Sequence, residues 1–195
     1  IMIQQATFVP DNAGEIRPLL INAEIPAIRL TTIEGDSWDV NASVREKPTI
    51  LLFYRGGWCG FCKKQLVELR QHYGELEQLD HQIIAINPDT PENTRETVEK
   101  FRLPFPVLSD TKMEAAQACG VAFRVTDRDE EYYEKLRRAS GETHRILPVP
   151  SYFVVGRDEV IKYAYVNPNY RQRPPFDLML AAVNAVVHME QAEDA

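Results

Sequence analysis

Only three cysteines occur in this sequence, Cys59, Cys62 and Cys119. A secreted disulfide scaffold carries more, in even numbers, so a stapled framework is not expected. A basic tract is also missing: 22 Lys and Arg against 29 Asp and Glu leave a formal net charge of −7. That balance argues against nucleic acid as a main partner. No apolar stretch approaches the ~20 residues that cross a bilayer, and Ile50–Tyr54 is only a strand's length. Ile1–Gln5 has no basic region leading into an apolar one, so no secretory signal is read there, no membrane is expected and the expected compartment is the cytoplasm. Internal repeats and low-complexity segments are absent too. What remains is an ordinary globular composition, 44% hydrophobic and 26% charged, long enough to bury a sizeable core.

Thr49–Tyr54 is a continuous β-branched and apolar run, the pattern of a strand buried on both faces. Gly56 and Gly57 end it. A helix follows with Cys62, Leu66, Leu69, Tyr73 and Leu76 on one face at spacings of four and three. Gln82–Asn87 reads as a second buried strand. Thr90 as N-cap and Pro91 at the first helical position open another helix. Phe105–Leu108 reads as a short strand, and Ser109-Asp110 caps a helix that ends at Gly120. Asp127–Arg138 is a charged helical tract. Ser151–Val155 and Val160–Val166 form a late hairpin, and Pro174–Met189 closes the chain as a helix. Near the start, Ile25–Leu30 and Ser37–Val40 read as a hairpin, with Pro26 restricting the first to an edge. Strand-helix-strand units demand parallel pairing and hairpins add antiparallel strands, so an α/β fold with a mixed sheet covered by helices is expected. The expected organisation is an N-terminal arm over 1–20, one domain over 21–190 and an acidic tail over 191–195.

Cys59 and Cys62 stand where the first buried strand gives way to its helix. The first turn of a helix has unpaired N–H groups and about half a positive charge, which favours thiolate over thiol. Cys62 continues the apolar face, so it is read as the inward, resolving thiol. Cys59 lies one turn earlier and is read as the more exposed, attacking thiol. Residues three apart on a helix hold their Cβ atoms roughly 5–6 Å apart, whereas a disulfide wants about 3.8 Å. Closing a Cys59–Cys62 bond therefore requires local adjustment. The other readings of the pair are two buried small hydrophobes, or half of a zinc site. Zinc needs two more ligands, and neither Cys119 nor His72, His81, His144 and His188 supplies a second paired spacing. No metal and no cofactor is expected.

The run Trp58-Cys59-Gly60-Phe61-Cys62-Lys63 resembles the active site of thioredoxins, with Phe61 where those have proline. The wider pattern resembles the peroxiredoxin-like AhpC/TSA proteins (alkyl hydroperoxide reductase/thiol-specific antioxidant). It runs from Ile25-Pro26-Ala27 through Phe53–Gly57, Pro104–Asp110 and Cys119-Gly120-Val121 to Tyr163–Val166. The resemblance covers roughly residues 20–190. It implies a thioredoxin fold with an N-terminal hairpin and a charged helical insert. It also implies thiol-dependent reduction of a peroxide or a disulfide, with an external dithiol as reductant, of thioredoxin or glutaredoxin type, and it allows a homodimer. Against the peroxiredoxin motif Pro-x-x-x-Thr/Ser-x-x-Cys, Arg55 takes the proline place, Cys59 the threonine place and Cys62 the peroxidatic place. Those enzymes set an arginine beside the site. Here that place reads Leu147–Ser151, with Arg145 a few residues before it. Val149-Pro150-Ser151 instead resembles the cis-proline loop of thioredoxins, which would let the Val149 backbone pair with substrate; the other reading is that Pro150 starts an edge strand. Peroxidase and disulfide exchanger both stay open. A redox-inert binding module on the same fold is the reading from another class, and an intact Cys-x-x-Cys argues against it.

Around the pair, Trp58 reads either as a shield and apolar platform or as plain packing. Arg55 reads either as a charge that depresses the thiol pKa or as a surface arginine. Cys119 is read as a buried inert thiol, with remote resolution as a minor role. The 127–138 tract reads as a lid, a partner-binding insert or a solvated face.

Overall fold

All five residues of Thr49–Phe53 are buried, on a strand paired along both of its edges. The computed structural model describes residues 8–193. Its elements in chain order are β1 (Arg29–Thr31), β2 (Ser37–Asp39), α1 (Val40–Glu46), β3 (Thr49–Phe53), α2 (Gly60–Gln78), β4 (Gln82–Asn87), α3 (Pro91–Phe101), β5 (Val107–Ser109), α4 (Glu114–Ala118), β6 (Ala122–Arg124), α5 (Glu130–Ser140), β7 (Ile146–Pro148), β8 (Ser151–Val155), β9 (Ile161–Val166) and α6 (Phe176–Glu193). Seven strands form one mixed sheet in the order β2-β1-β5-β4-β3-β8-β9. β3 runs parallel to β4 and β4 to β5, while β8 pairs antiparallel with both β3 and β9. The expected mixed sheet with its late hairpin is therefore present.

Alternation along β3 divides the core in two, since successive side chains leave opposite faces of a strand. Leu51 and Phe53 join Val40, Val44, Met113, Cys119 and Phe153 on one face. Ile50, Leu52 and Tyr54 join Cys62, Leu66, Leu69, Met179 and Val183 on the other, where α2 and α6 pack together. Burying a side chain of this size contributes roughly 1.5–3 kcal/mol, so both layers are needed to hold β3 in place.

The N-terminal hairpin differs from its expected span. Ile25–Ile28 is not ladder: Ile25 N–H bonds to Glu159 O, Glu24 makes an isolated bridge to Val160, and β1 begins only at Arg29. Three elements lie beyond the sequence-based expectation. α1 starts at Val40 because Asp39 accepts the Ala42 N–H and Val40 and Val44, four apart, are both buried. β6 and β7 have three residues each and pair across the whole of α5. Such short, distant pairing leaves no local period to read. Asp110 caps α4 as expected in effect, but by accepting the N–H groups of Ala115 and Ala116 from outside the helix, whose N-cap is Met113. Among the described residues no helix is long and apolar enough to cross a membrane.

β3 and β4 are parallel neighbours, so their carboxyl ends open on the same edge of the sheet. In open α/β sheets that edge is where loops gather functional groups. Here it presents Tyr54–Trp58 after β3 and Pro88–Thr90 after β4.

Candidate active site

The turn between β3 and α2 is shaped by its two glycines. Gly56 has φ +127°, and a Cβ there would lie 2.5 Å from both Asp89 Oδ1 and Trp58 Nε1. A Cβ on Gly57 would lie 1.9 Å from Thr97 Oγ1. Neither position tolerates a side chain, which lets the loop press against Asp89 and α3. Asp89 fixes it in turn, accepting the Gly57 N–H at 2.6 Å.

Cys59 is the N-cap of α2 and Cys62 lies in its first turn. All three cysteines are free thiols. Cys59 is 5% exposed and Cys62 0%. The order of exposure is the expected one, yet both sulfurs are buried. The Cys59 sulfur makes no side-chain capping bond to the helix, but it lies beside the Cys62 thiol and the Cys62 backbone N–H. That contact with Cys62 is the largest cause holding the Cys59 thiol down at about 5. Arg55 and Arg173 add to it, against the opposing effect of burial. The helix terminus alone is thus not what activates Cys59. Cys62 goes the other way: burial raises it well above the ordinary thiol range, and the neighbouring Cys59 raises it further. One sulfur is prepared as thiolate and the other as the thiol beside it.

Arg55 is buried, which removes the surface reading. Its Nη2 donates to the Tyr132 hydroxyl, and its guanidinium stacks 4.0 Å over the Tyr170 ring and 5.4 Å from that of Trp58. Tyr132 and Trp58 meet edge to face at 5.9 Å. Among the described residues neither Arg55 nor Arg173 forms an ion pair with a carboxylate. Their charge is therefore left for the sulfurs. α5 is more than a solvated face. It carries Tyr132 to the site, while Tyr133 and Leu136 seal a small cluster with Val125 and Leu147. Between α3 and α5 an open groove of about 820 Å³ runs past Gly57, Trp58, Asp89, Lys100 and Lys135.

The expected pairing role of Val149 and Pro150 is not met, and Arg145 and Cys119 lie away from the sulfurs, Cys119 as the buried thiol it was read to be. The described residues contain no cis peptide bond, so Pro150 is trans. The Val149 N–H is already bonded to Val121 O, and its carbonyl accepts from Ser151 Oγ, because the β6–β7 pairing draws this strand inward. The Val149 N–H is therefore not free for substrate. Arg145 lies over Tyr133 at 3.8 Å and near Glu130, away from the sulfurs. Cys119 packs in the opposite core layer, with its thiol pushed up to about 12 by burial. The sheet separates it from the pair, which removes the role of remote resolving thiol.

Sequence reasoning missed Arg173, Tyr132, Tyr170 and Asp89 as site groups. Arg173, from the loop after β9, donates to Cys62 Sγ at 3.3 Å. Only Asp89 left a trace, as an acid two residues past a buried strand. Asp89 is buried and raised to about 7, chiefly by desolvation. A carboxyl raised from its ordinary value stabilises the fold most below pH ~4, and that contribution is lost as pH rises through 7. Asp89→Asn keeps an acceptor for Gly57 and cannot ionise. It should raise the melting temperature at pH 8, by on the order of 2 kcal/mol in stability, and leave it nearly unchanged at pH 4; thermal melts at the two pH values check this. Among the described residues no three His, Cys, Asp or Glu side chains converge as metal ligands.

Comparison with known proteins places this geometry among relatives. The model of the AhpC/TSA family matches residues 21–164. The thiol-disulfide oxidoreductase ResA of Halalkalibacterium halodurans is 28% identical over 93 residues, 47% of this chain and 52% of that protein. The chloroplastic peroxiredoxin Q of Populus jackii is 26% identical over 96 residues, 49% of this chain and 45% of that one. The chain thus spans about half the length of these curated relatives. Among solved structures, the peroxidoxin BcpB of Mycobacterium tuberculosis superposes with a TM-score of 0.66 at 18% identity, covering 85% of this chain and 96% of its own. The fold is shared with peroxiredoxins.

Proposed function

Because the chain belongs to the AhpC/TSA family, we propose that it is a dithiol oxidoreductase in which Cys59 attacks and Cys62 resolves. The Cys59 thiolate attacks one sulfur of a substrate disulfide, a Cys59–S–S–R bond forms and R–S⁻ leaves. Cys62 then attacks Cys59 Sγ, closing the Cys59–Cys62 disulfide and releasing the second substrate thiolate, which takes up the proton Cys62 gives up. An external dithiol restores the pair. The observation that carries the reading is the pair of neighbouring free thiols at the start of α2, Cys59 at the cap and the more exposed, Cys62 behind it and fully buried. Phe61, exposed beside the pair and edge-on to Tyr170, offers apolar surface to a protein disulfide.

A second reading has a specific support. Cys62 takes the peroxidatic place of the family motif, and an arginine touches it. In that case a Cys62 thiolate attacks a peroxide oxygen, the O–O bond breaks, the alkoxide leaves protonated, and the Cys62 sulfenic acid condenses with Cys59 with loss of water. Turnover of the reduced full chain with hydrogen peroxide, an organic hydroperoxide and a protein disulfide, under one dithiol reductant, separates the two. Fastest consumption of the disulfide is expected. Rapid peroxide turnover with the disulfide untouched would overturn the exchange reading and establish the second.

A further inference from the structure

The buried Cys62 poses a difficulty for the cycle. A thiol is a poor nucleophile until it ionises, and this one sits at 0% exposure where water cannot solvate a thiolate. The same Cys62 thiol is spent, in the resting state, on stabilising the Cys59 thiolate. Once Cys59 is tied up in a mixed disulfide that stabilising role ends, and Cys62 must itself become the anion.

Arg173 is built into that position. Its Nε donates to Gln65 Oε1 at 3.0 Å, its Nη1 to the carbonyls of Tyr170 at 2.5 Å and Gln172 at 2.9 Å, and its Nη2 to Cys62 Sγ at 3.3 Å. Gln65 is one turn beyond Cys62 on the same buried face of α2. Three oxygen acceptors orient the guanidinium, none of them a carboxylate, and the remaining N–H is aimed at sulfur. A cation held by neutral acceptors keeps its full charge for the sulfur it touches. The other titratable groups facing Cys62 are Cys59 and Tyr54, with the Arg55 backbone also in contact. Neither side chain is cationic.

We infer that Arg173 is a catalytic residue of the second half-reaction, supplying the charge on which Cys62 ionises and attacks the Cys59 mixed disulfide. In that step the Cys62 Sγ–Cys59 Sγ bond forms, the bond from Cys59 Sγ to the substrate sulfur breaks with its electron pair, and the departing thiolate takes the proton lost by Cys62. The two arginines then differ in reach: both act on Cys59, and Arg173 alone also carries its charge to Cys62. The inference rests on the dithiol reading above.

The test mixes reduced full chain, freed of reductant, with one equivalent of 5,5′-dithiobis(2-nitrobenzoate). A first thionitrobenzoate is released when Cys59 attacks and a second when Cys62 displaces it. In Arg173→Gln the second release should slow at least about tenfold at pH 7, and the first less than about threefold. The pH midpoint of the second release should move upward, with much of the rate recovered in alkali. Arg173→Lys keeps a charge without the planar fork and should slow the second release by about threefold; it decides the matter if the glutamine variant does not fold. An unchanged second release, or one slowed equally at every pH, overturns the role of Arg173. A wild type with no second release, or a second release that survives Cys62→Ser, overturns the dithiol reading and this inference together.

Discussion

Cys59→Ser should abolish turnover with every oxidant, a loss of about 10³-fold or more, because it removes the only sulfur prepared as a thiolate. The hydroxyl that replaces it stays protonated, and neither Arg55 nor Arg173 brings an alcohol near ionisation at neutral pH. The companion variant gives the direction of the cycle. Cys62→Ser leaves Cys59 able to attack but removes the group that completes the exchange, so a mixed disulfide should accumulate on Cys59. Mass spectrometry of the trapped species reads the site directly. An adduct on Cys62 in Cys59→Ser would reverse the assignment and favour the peroxide chemistry in which Cys62 is attacked. Serine is close in size to cysteine, and the pair sits in a turn shaped by Gly56 and Gly57, so the fold should tolerate both changes; melting curves check it.

The second effect belongs to Arg55, the stronger of the two cations that add to the Cys62 contact in holding Cys59 down. With the guanidinium in place the Cys59 thiol sits at about 5, so alkylation by iodoacetamide should rise through pH 5 and level off above pH ~6. Arg55→Gln removes a buried charge with no carboxylate partner. The midpoint should move up, by less than loss of the larger Cys62 contact would move it. The rate at pH 5 should then fall measurably, while at pH 8 it changes little. Arg55→Lys should recover part of the shift but lose the stacking on Tyr170. An unmoved midpoint in a natively melting Arg55→Gln protein would remove Arg55 from the site's chemistry. Stability follows the same linkage. A thiol lowered from 9 to about 5 contributes stability that is complete above pH ~9 and lost as pH falls through 5. The reduced wild type should therefore gain stability over that interval relative to Cys59→Ser. A stabilised thiolate also favours the dithiol over the disulfide, so the pair should be more oxidising than an unperturbed one.

Both effects depend on groups the chain brings from far apart. Arg55 and Cys59 share one turn. Tyr132 arrives on α5, Asp89 from the loop after β4, and Tyr170 and Arg173 from the loop before α6. The charged tract around Tyr132 gives the clearest case. Its composition reads as solvated, yet only five of the eleven residues of α5 are exposed, and Tyr132 on it bonds Arg55 and abuts Trp58.

By itself the sequence determined what local order can encode. An unbroken buried strand, a glycine turn and an amphipathic helix place Cys59 and Cys62 at a helix start, and the run of strands and helices makes the mixed sheet. These follow from periodicity and backbone sterics, which act over a few residues. The tertiary structure alone decided which charge reaches which sulfur, that Pro150 is trans and Val149 already paired, and that Cys119 lies across the sheet from the pair. Electrostatics and hydrogen bonding act through space: Arg173 is next to Cys62 only because β9 returns beside β8 and delivers its following loop onto α2.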